Sequence, residues 1–240
     1  CGEGKANWRS GVKHDCSRVM ELIREGGKYR NGLGELVDLE ELYVFPMLKS
    51  SDVASGAPRN GNRWMLVTQK TIGEDTAAIR TTAPRTWAYR NAHADLLGKR
   101  ASSIYRKRPA FSVFGVGEYT FAPWKVAISG FYKKLAFTVV GPVGGKPVVF
   151  DDTSYFLPFP TRRQAELAAR LLRSTEVHSF YSAFVFWDSK RPITADLLRR
   201  LDLRQLARQL GSEEEYLACL GSQGEDRPSA EVSVQREFWT

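Results

Sequence analysis

The pattern of this sequence changes once, at Thr161, and that change restricts the fold more than any single motif. Before it, apolar residues come in short runs cut by Gly and Pro: Arg63–Gln69, Leu135–Val140, Pro147–Phe150 and Ser154–Leu157. Runs this short, bounded by turn formers, read as strands. After it, TRRQAELAARLLRS puts Leu167, Ala168, Leu171 and Leu172 on one helical face, with Thr161 and Gln164 at capping-box spacing. Val177–Trp187 is strongly apolar and predicts a buried helix, and Thr194–Leu210 repeats leucine with room for a break. Ser212 and Glu215 repeat the capping spacing before a short helix stopped by Gly221. Strands first and helices last predict the α+β class. The expected layout is a β-rich region of mixed, twisted sheets over 1–160, a helical section over 161–221 packed on it, and a polar tail over 222–240. Together they would make one compact domain, a size at which a chain of 240 residues buries a proper core.

Finer punctuation refines the β-rich part. Met20, Leu22 and Ile23 mark a short helix or strand end, and Asn31-Gly32 is a turn signal between two extended pieces. Pro46 interrupts the apolar run Tyr43–Leu48 and predicts an edge strand or a loop entry. Residues 55–62 read as a loop. Pro84 precedes a helical pattern carrying Trp87, Leu96 and Leu97 and ending at Gly98.

From Lys99 to Lys134, eight cations and eight aromatics are interleaved with one acid, Glu118. The stretch predicts strand, loop, strand, broken at Pro109 and Pro123. Cations there can neutralise phosphates and the rings can stack on bases; equally, the rings can fill a core while the lysines face water. The whole chain carries a net charge of +8, which favours an anionic partner, with nucleic acid the first candidate. Lys49-Ser50-Ser51-Asp52 suits a turn or helix start with free backbone amides for a phosphate, and Lys190-Arg191-Pro192 sets two cations at another turn. Pro123 holds Ala122 out of the helical region, which predicts an extended run from Tyr119 with Lys125 at a strand start.

Other chemistries have weaker support. Gly115-Val116-Gly117 lacks the third glycine, the following helix and the later acid of a dinucleotide or S-adenosylmethionine loop. His14, His93 and His178 have no metal-ligand spacing, and His14 with Cys16 names a nucleophile-base pair without a third orienting group. Asp151-Asp152, with Glu118 or Lys146, can be written as a metal-dependent nuclease site or as a hydrogen-bonded turn. Cys1, Cys16 and Cys219 are odd in number and show no CxxC, so neither a disulfide framework nor a zinc ribbon follows and a reduced, cytoplasmic setting is expected. No apolar run reaches the roughly 20 residues of a membrane span. The chain begins without an initiator Met, as a piece of a longer polypeptide would.

Several of these stretches, in order, resemble a known family. Arg9–Asp15 (RSGVKHD), Lys49–Asp52, Arg63–Gln69, Lys99–Tyr105, Phe114–Gly130, Asp151–Phe156 and the helix end Leu171–Ser174 are similar to the TaqI-like C-terminal target recognition domain of bacterial adenine-specific DNA methyltransferases of type II restriction–modification enzymes. The resemblance covers roughly residues 8 to 205. It implies a partner catalytic domain, in the same chain or a separate subunit, that binds S-adenosylmethionine and holds a flipped adenine with an (Asn/Asp)-Pro-Pro-(Tyr/Phe) motif. This chain contains no Pro-Pro pair, so no catalytic residue and no cofactor of its own is expected. What it would supply is recognition of double-stranded DNA. The expected contacts are Lys49, Ser50 and Ser51 on the backbone and Gln69 and Lys70 near the groove; then Arg100, Ser102, Ser103, Tyr105 and Lys107; and last Tyr119, Trp124 and Lys125. The competing readings are the nuclease at Asp151 and Asp152 and an RNA-binding module whose rings stack unpaired bases.

Overall fold

The computed structural model of the chain describes residues 6–56, 62–109 and 111–221. Its strands, in chain order, are β1 (Arg9–Ser10), β2 (Glu21–Glu25), β3 (Lys28–Asn31), β4 (Leu36–Val37), β5 (Val44–Leu48), β6 (Arg63–Leu66), β7 (Trp124–Ser129), β8 (Thr138–Val140), β9 (Val149–Phe150) and β10 (Ser154–Phe159). The first five helices are α1 (Ser17–Met20), α2 (Ser50–Ser55), α3 (Ile79–Thr82), α4 (Pro84–Ala92) and α5 (Ala94–Gly98). The C-terminal helices are α6 (Arg162–Leu172), α7 (Thr175–Ser182), α8 (Ala195–Leu198), α9 (Leu203–Gln209) and α10 (Glu213–Leu220). The fold is α+β. Most of the loop expected over 55–62, and all of the tail over 222–240, lie outside the described residues. Among the described residues no helix is long and apolar enough to cross a membrane.

Two sheets carry the strands. One is antiparallel throughout, in the order β1-β10-β7-β8; the other runs β4-β3-β2-β6-β5-β9, with only β5 and β9 parallel. Gly26 and Gly27, both at positive φ, make the two-residue turn of the β2–β3 hairpin, where a right-twisted pair of strands needs left-handed residues. β5 is not the edge strand that Pro46 suggests. Its first half pairs with β6 (Val44 opposite Leu66, Pro46 opposite Trp64) and its last two residues pair with β9. The Val67 N–H donates to the Tyr43 carbonyl, so alternation puts Pro46 at a non-hydrogen-bonded position towards β6. Its missing donor faces the other side, where pairing begins one residue later.

The sheets bury separate clusters joined by a third. β7, β10 and the C-terminal helices enclose Trp8, Val126, Ile128, Leu157, Ala168, Leu171 and Tyr181. The six-stranded sheet packs with the α4–α5 region around Met20, Leu22, Trp64, Met65, Tyr89 and Phe111. Between them Leu48, Val53, Ala127, Val140, Phe150 and Phe156 tie α2, β5 and β9 to β7, β8 and β10. Thr161 caps α6 as its spacing predicts, its hydroxyl accepting from the Gln164 N–H at 3.3 Å.

Four expectations give way to the structure. The helix over 177–187 ends at Ser182; the β-branched and aromatic run that follows favours helix weakly and returns as a loop that leaves Phe184 and Phe186 exposed. Ser212 starts α10 without a capping bond, because its backbone, at ψ 20, is not in the extended conformation that aims a cap hydroxyl at the first turn, and Glu215 reaches Arg170. The helix over 85–98 is two helices, broken at His93, whose ring is held between the Tyr89 carbonyl at 2.8 Å and Glu35 at 2.7 Å. The first limb of the 99–134 stretch is irregular, with single 3₁₀ turns at Ser103–Tyr105 and Glu118–Phe121, so only Trp124–Ser129 is strand and the run from Tyr119 is not extended. Ala122 itself is extended, as the proline after it requires.

One backbone crossing joins everything. The segment leaving β1 runs along the turn between β9 and β10: Gly11 N–H donates to Ser154 O at 3.0 Å and Val12 N–H to Phe150 O at 2.7 Å. Lys13 then exchanges both backbone bonds with Phe114. A Cβ on Gly11 would lie 2.0 Å from the Asp151 carbonyl oxygen, and one on Gly115, at φ +64, would lie 2.3 Å from the Gly11 oxygen. Backbone on three sides cannot give way as a side chain would. Gly11→Ala should therefore cost at least about 2 kcal/mol of stability. Gly144→Ala, left-handed but with nothing within 4 Å, should cost only about 1 kcal/mol. Urea unfolding midpoints check this, and equal losses would contradict the crossing.

Candidate nucleic-acid interface

Stretches distant in sequence meet where that crossing ends. Lys13 Nζ lies 3.0 Å from Asp15 and 3.8 Å from Asp152. Glu21, at the head of β2, is the centre of a second group: its carboxylate is 2.6 Å from Lys49 Nζ, 3.8 Å from Arg63 and 3.6 Å from His14 Nε2. The Cys16 N–H donates to His14 Nδ1 at 3.1 Å, which puts the proton of the neutral ring on Nε2, facing Glu21. Burial holds the His14 pKa below its ordinary value despite the nearby Glu21 carboxylate. Burial also pushes Asp151 up to about 6; the Thr153 hydroxyl donating at 2.6 Å opposes this and the Asp152 charge adds to it.

This cluster is a set of ion pairs and hydrogen bonds. Acids and cations alternate in it, and among the described residues no three His, Cys, Asp or Glu side chains converge to hold a metal ion. The nuclease expectation for Asp151 and Asp152 therefore lacks a ligand set: Asp151 is taken by Thr153, Asp152 faces Lys13, and Glu118 lies exposed on its 3₁₀ turn. The Cys16–His14 pairing fails as well, because burial raises the thiol pKa and the ring nitrogen is engaged by backbone. Gly115-Val116-Gly117 offers no cradle, since the space a Cβ would need is filled by the Gly11 carbonyl at one end and the Tyr119 ring at the other.

Beside the junction stands the loop from Lys99 to Phe114, rigid at its base and cationic at its tip. Arg100 donates to Leu97 O and Ser112 O, each at 2.6 Å, and lies 3.7 Å from the Tyr105 ring centre. The Tyr105 hydroxyl donates in turn to Lys13 O at 3.3 Å. Arg90, 0% exposed, donates to the Thr68 hydroxyl and the Phe111 carbonyl and stacks on the Phe111 ring at 4.4 Å. Burial without a carboxylate, with Arg100 adding repulsion, brings its pKa down to about 9. Gln69, 1% exposed, completes the base: its Oε1 accepts from Val113 N–H at 2.7 Å and its Nε2 donates to Glu74 O at 3.1 Å. Lys99 at the start of the loop and Arg106, Lys107 and Arg108 at its tip are exposed and have no carboxylate partner among the described residues. Lys107 and Phe111 have positive φ of 62 and 68, a left-handed backbone that non-glycine residues keep only where the surroundings enforce it.

The structure sorts the expected DNA contacts into three groups. Ser51, Lys70, Ser103 and Lys107 are exposed, with Arg100, Ser102 and Tyr105 half-buried beneath the loop. Lys49 is spent on Glu21, and Ser50 is buried, sharing a 2.6 Å bond with the Ser129 hydroxyl and donating to Thr153 O at 2.9 Å. Gln69 and Lys125 are interior, and neither reaches a groove. Lys125 is 1% exposed and donates to Ala122 O at 2.6 Å and Val148 O at 2.8 Å; burial alone lowers its pKa to about 7. Tyr119 packs on Phe156, and Trp124 packs on Gly141 beneath Arg162, so both serve the four-stranded sheet. Arg106 and Arg108 carry the same cation signal as Lys107 and join it. Glu21, His14 and Arg90 carry no local signal, because their partners come from other strands.

No family model matches the chain. Its sequence is 52% identical, over 201 residues, to the Type II methyltransferase M.NspV of Nostoc sp. (strain ATCC 29411 / PCC 7524), a match covering 84% of this chain and 42% of that protein. The chain thus spans less than half the length of this relative and is homologous to part of a type II methyltransferase. Among solved structures it is similar to that of the Type IIL restriction-modification enzyme MmeI in complex with DNA, at 12% identity and a TM-score of 0.41, covering 95% of this chain and 34% of that one.

Two stability measurements probe these buried charges. Asp151 holds its proton more tightly folded than unfolded, so its contribution is complete below its ordinary value of 3.8 and is lost as pH rises through about 6. Asp151→Asn should erase that fall, seen as a difference from the wild type in unfolding free energy between those pH values; parallel profiles would refute it. Lys125→Ala should lower stability by about 2–4 kcal/mol through a cavity and two orphaned carbonyls, read from urea unfolding.

Proposed function

We propose that this chain is the target recognition part of an adenine-specific, S-adenosylmethionine-dependent DNA methyltransferase of a bacterial restriction–modification system. The observation that carries the reading is the run Arg106–Arg108, three exposed cations without acidic partners among the described residues, on a loop whose base is locked by Arg90, Arg100 and Gln69. Such a loop meets a phosphate backbone already ordered, so little conformational entropy opposes binding, and each neutralised phosphate releases counterions. Gly73 lies next to Arg108 Nη1, which sets the turn carrying Lys70 against the same tip. Backbone contacts of this kind fix register, while arginine and lysine heads in the major groove can take guanine O6 and N7. The homology with part of a type II methyltransferase supports the division of labour.

The β-rich region to residue 160 and the helical section over 161–221 act in this reading as one specificity unit. Methyl transfer belongs to a catalytic part, in the same polypeptide or another subunit, which binds S-adenosylmethionine as methyl donor. This chain has no Pro-Pro pair, and the space at Gly115 and Gly117 is filled by the Gly11 carbonyl and the Tyr119 ring. A reducing cytoplasm suits the free thiols of Cys16 and Cys219.

Replacing Arg106, Lys107 and Arg108 by alanine should weaken binding to duplex DNA and reduce the slope of log affinity against log salt by about 0.9 for each phosphate contact removed. Titrations at several salt concentrations read both quantities. A triple variant with the affinity and slope of the wild type would reject this placement of the DNA face.

A further inference from the structure

On the four-stranded sheet side, a second surface combines rings and cations. The loop after β7 exposes Phe131 and Tyr132, and the chain after α7 exposes Phe184 and Phe186, the last at 81%. Val185 between them is buried, so the alternation of an open chain turns both phenylalanines outward. The two segments are bound together: Lys133 reaches Asp188 at 3.7 Å, Arg191 stacks on Phe131 at 4.8 Å, and Ile193 N–H donates to Gly130 O. Arg200 lies 5.3 Å from the centre of the Phe184 ring. The first loop is further pinned by the Ser129 hydroxyl, which accepts from the N–H groups of both Phe131 and Tyr132 at 3.2 Å. That hydroxyl is also the partner of buried Ser50. Tyr132 and Phe186 are the most open of the four rings, while Phe131 lies under Arg191 and Phe184 packs on Phe180.

Exposed rings on two segments tied to each other mark an interaction surface. The charges select the occupant. Segments 130–134 and 183–191 hold Lys133, Lys134, Lys190 and Arg191 against the single acid Asp188. Protein–protein interface cores are depleted in lysine, whereas aromatic faces beside lysine and arginine are what stacked bases and their phosphates require. A fully paired duplex shows no free base faces. We propose that this patch binds an unpaired stretch of DNA, its exposed rings stacking on the bases and Lys133, Lys134 and Lys190 meeting the phosphates. This rests on the DNA-recognition reading and adds to it a site for strand that is not in duplex form, apart from the Arg106–Arg108 loop.

Fluorescence anisotropy with the full chain tests it, using a paired duplex, the same duplex with about six central unpaired thymidines, and matching single strands of DNA and RNA. The wild type should bind the unpaired DNA probes more tightly than the paired duplex. Combining Tyr132→Ala with Phe186→Ala should weaken binding to the unpaired probes about tenfold or more, with unchanged binding to paired duplex and an unchanged melting temperature. Phe186→Trp should retain it. Binding to unpaired DNA that is unaffected by the double variant overturns the proposal, as does a preference for the RNA strand or a loss of self-association in its place. Paired-duplex binding without any preference for unpaired DNA defeats this inference alone. Indifference of the wild type to every probe defeats the DNA-recognition reading with it.

Discussion

The passage of the Gly11 backbone between the Asp151 carbonyl and Gly115 is the constraint on which the remaining geometry depends. Where main chain meets main chain at these distances, no side chain is tolerated and no rotamer change relieves a clash. The crossing binds β1 to β10 in one sheet and lets the next two residues bond to Phe150 and Phe114, which belong to the other side of the molecule. Two sheets with separate apolar clusters are thereby held in one register. The small cluster around Val53, Ala127 and Phe156 fills the space between them.

Charge follows from that arrangement. Bringing Lys13, His14, Glu21, Lys49, Arg63, Asp151 and Asp152 together would be costly if the signs matched, and they alternate. Glu21, the least exposed carboxylate of these ion pairs, is matched by Lys49 and Arg63, so the group acts as a lock on geometry more than as a source of stability. Arg90 and Lys125 show the other solution. Each is buried without a carboxylate, bonded to uncharged oxygens and packed beside a ring, with its pKa drawn downwards. Of the two, Arg90 also holds the base of the loop after Lys99, through the Phe111 carbonyl.

Much of the chain could be read in order. The α+β class, the strand at Arg63, the Thr161 cap, the turn at Asn31-Gly32 and the helix end at Gly98 follow from local rules, because each depends on neighbours a few residues away. The interleaved run from Lys99 to Lys134 was equally plain as composition, yet its residues part company in three dimensions. Lys107 stands in solvent, Arg100 is folded under the loop, and Lys125 is sealed inside beside Phe156. No local pattern separates these three, since all sit among the same kinds of neighbour.

By itself, then, the sequence determined the α+β class, the strand at Arg63, the cap at Thr161, several of the turns, and that cations and rings are concentrated in one region. Tertiary structure alone decided that Gln69 and Ser50 are internal struts, that Glu21 gathers His14, Lys49 and Arg63, and that the apolar run after Val177 opens outward at Phe184 and Phe186. The reason is physical. Helix and strand preferences act over a few residues, whereas burial and ion pairing depend on which distant segments arrive at the same place, and that is settled only when the two sheets lock at Gly11.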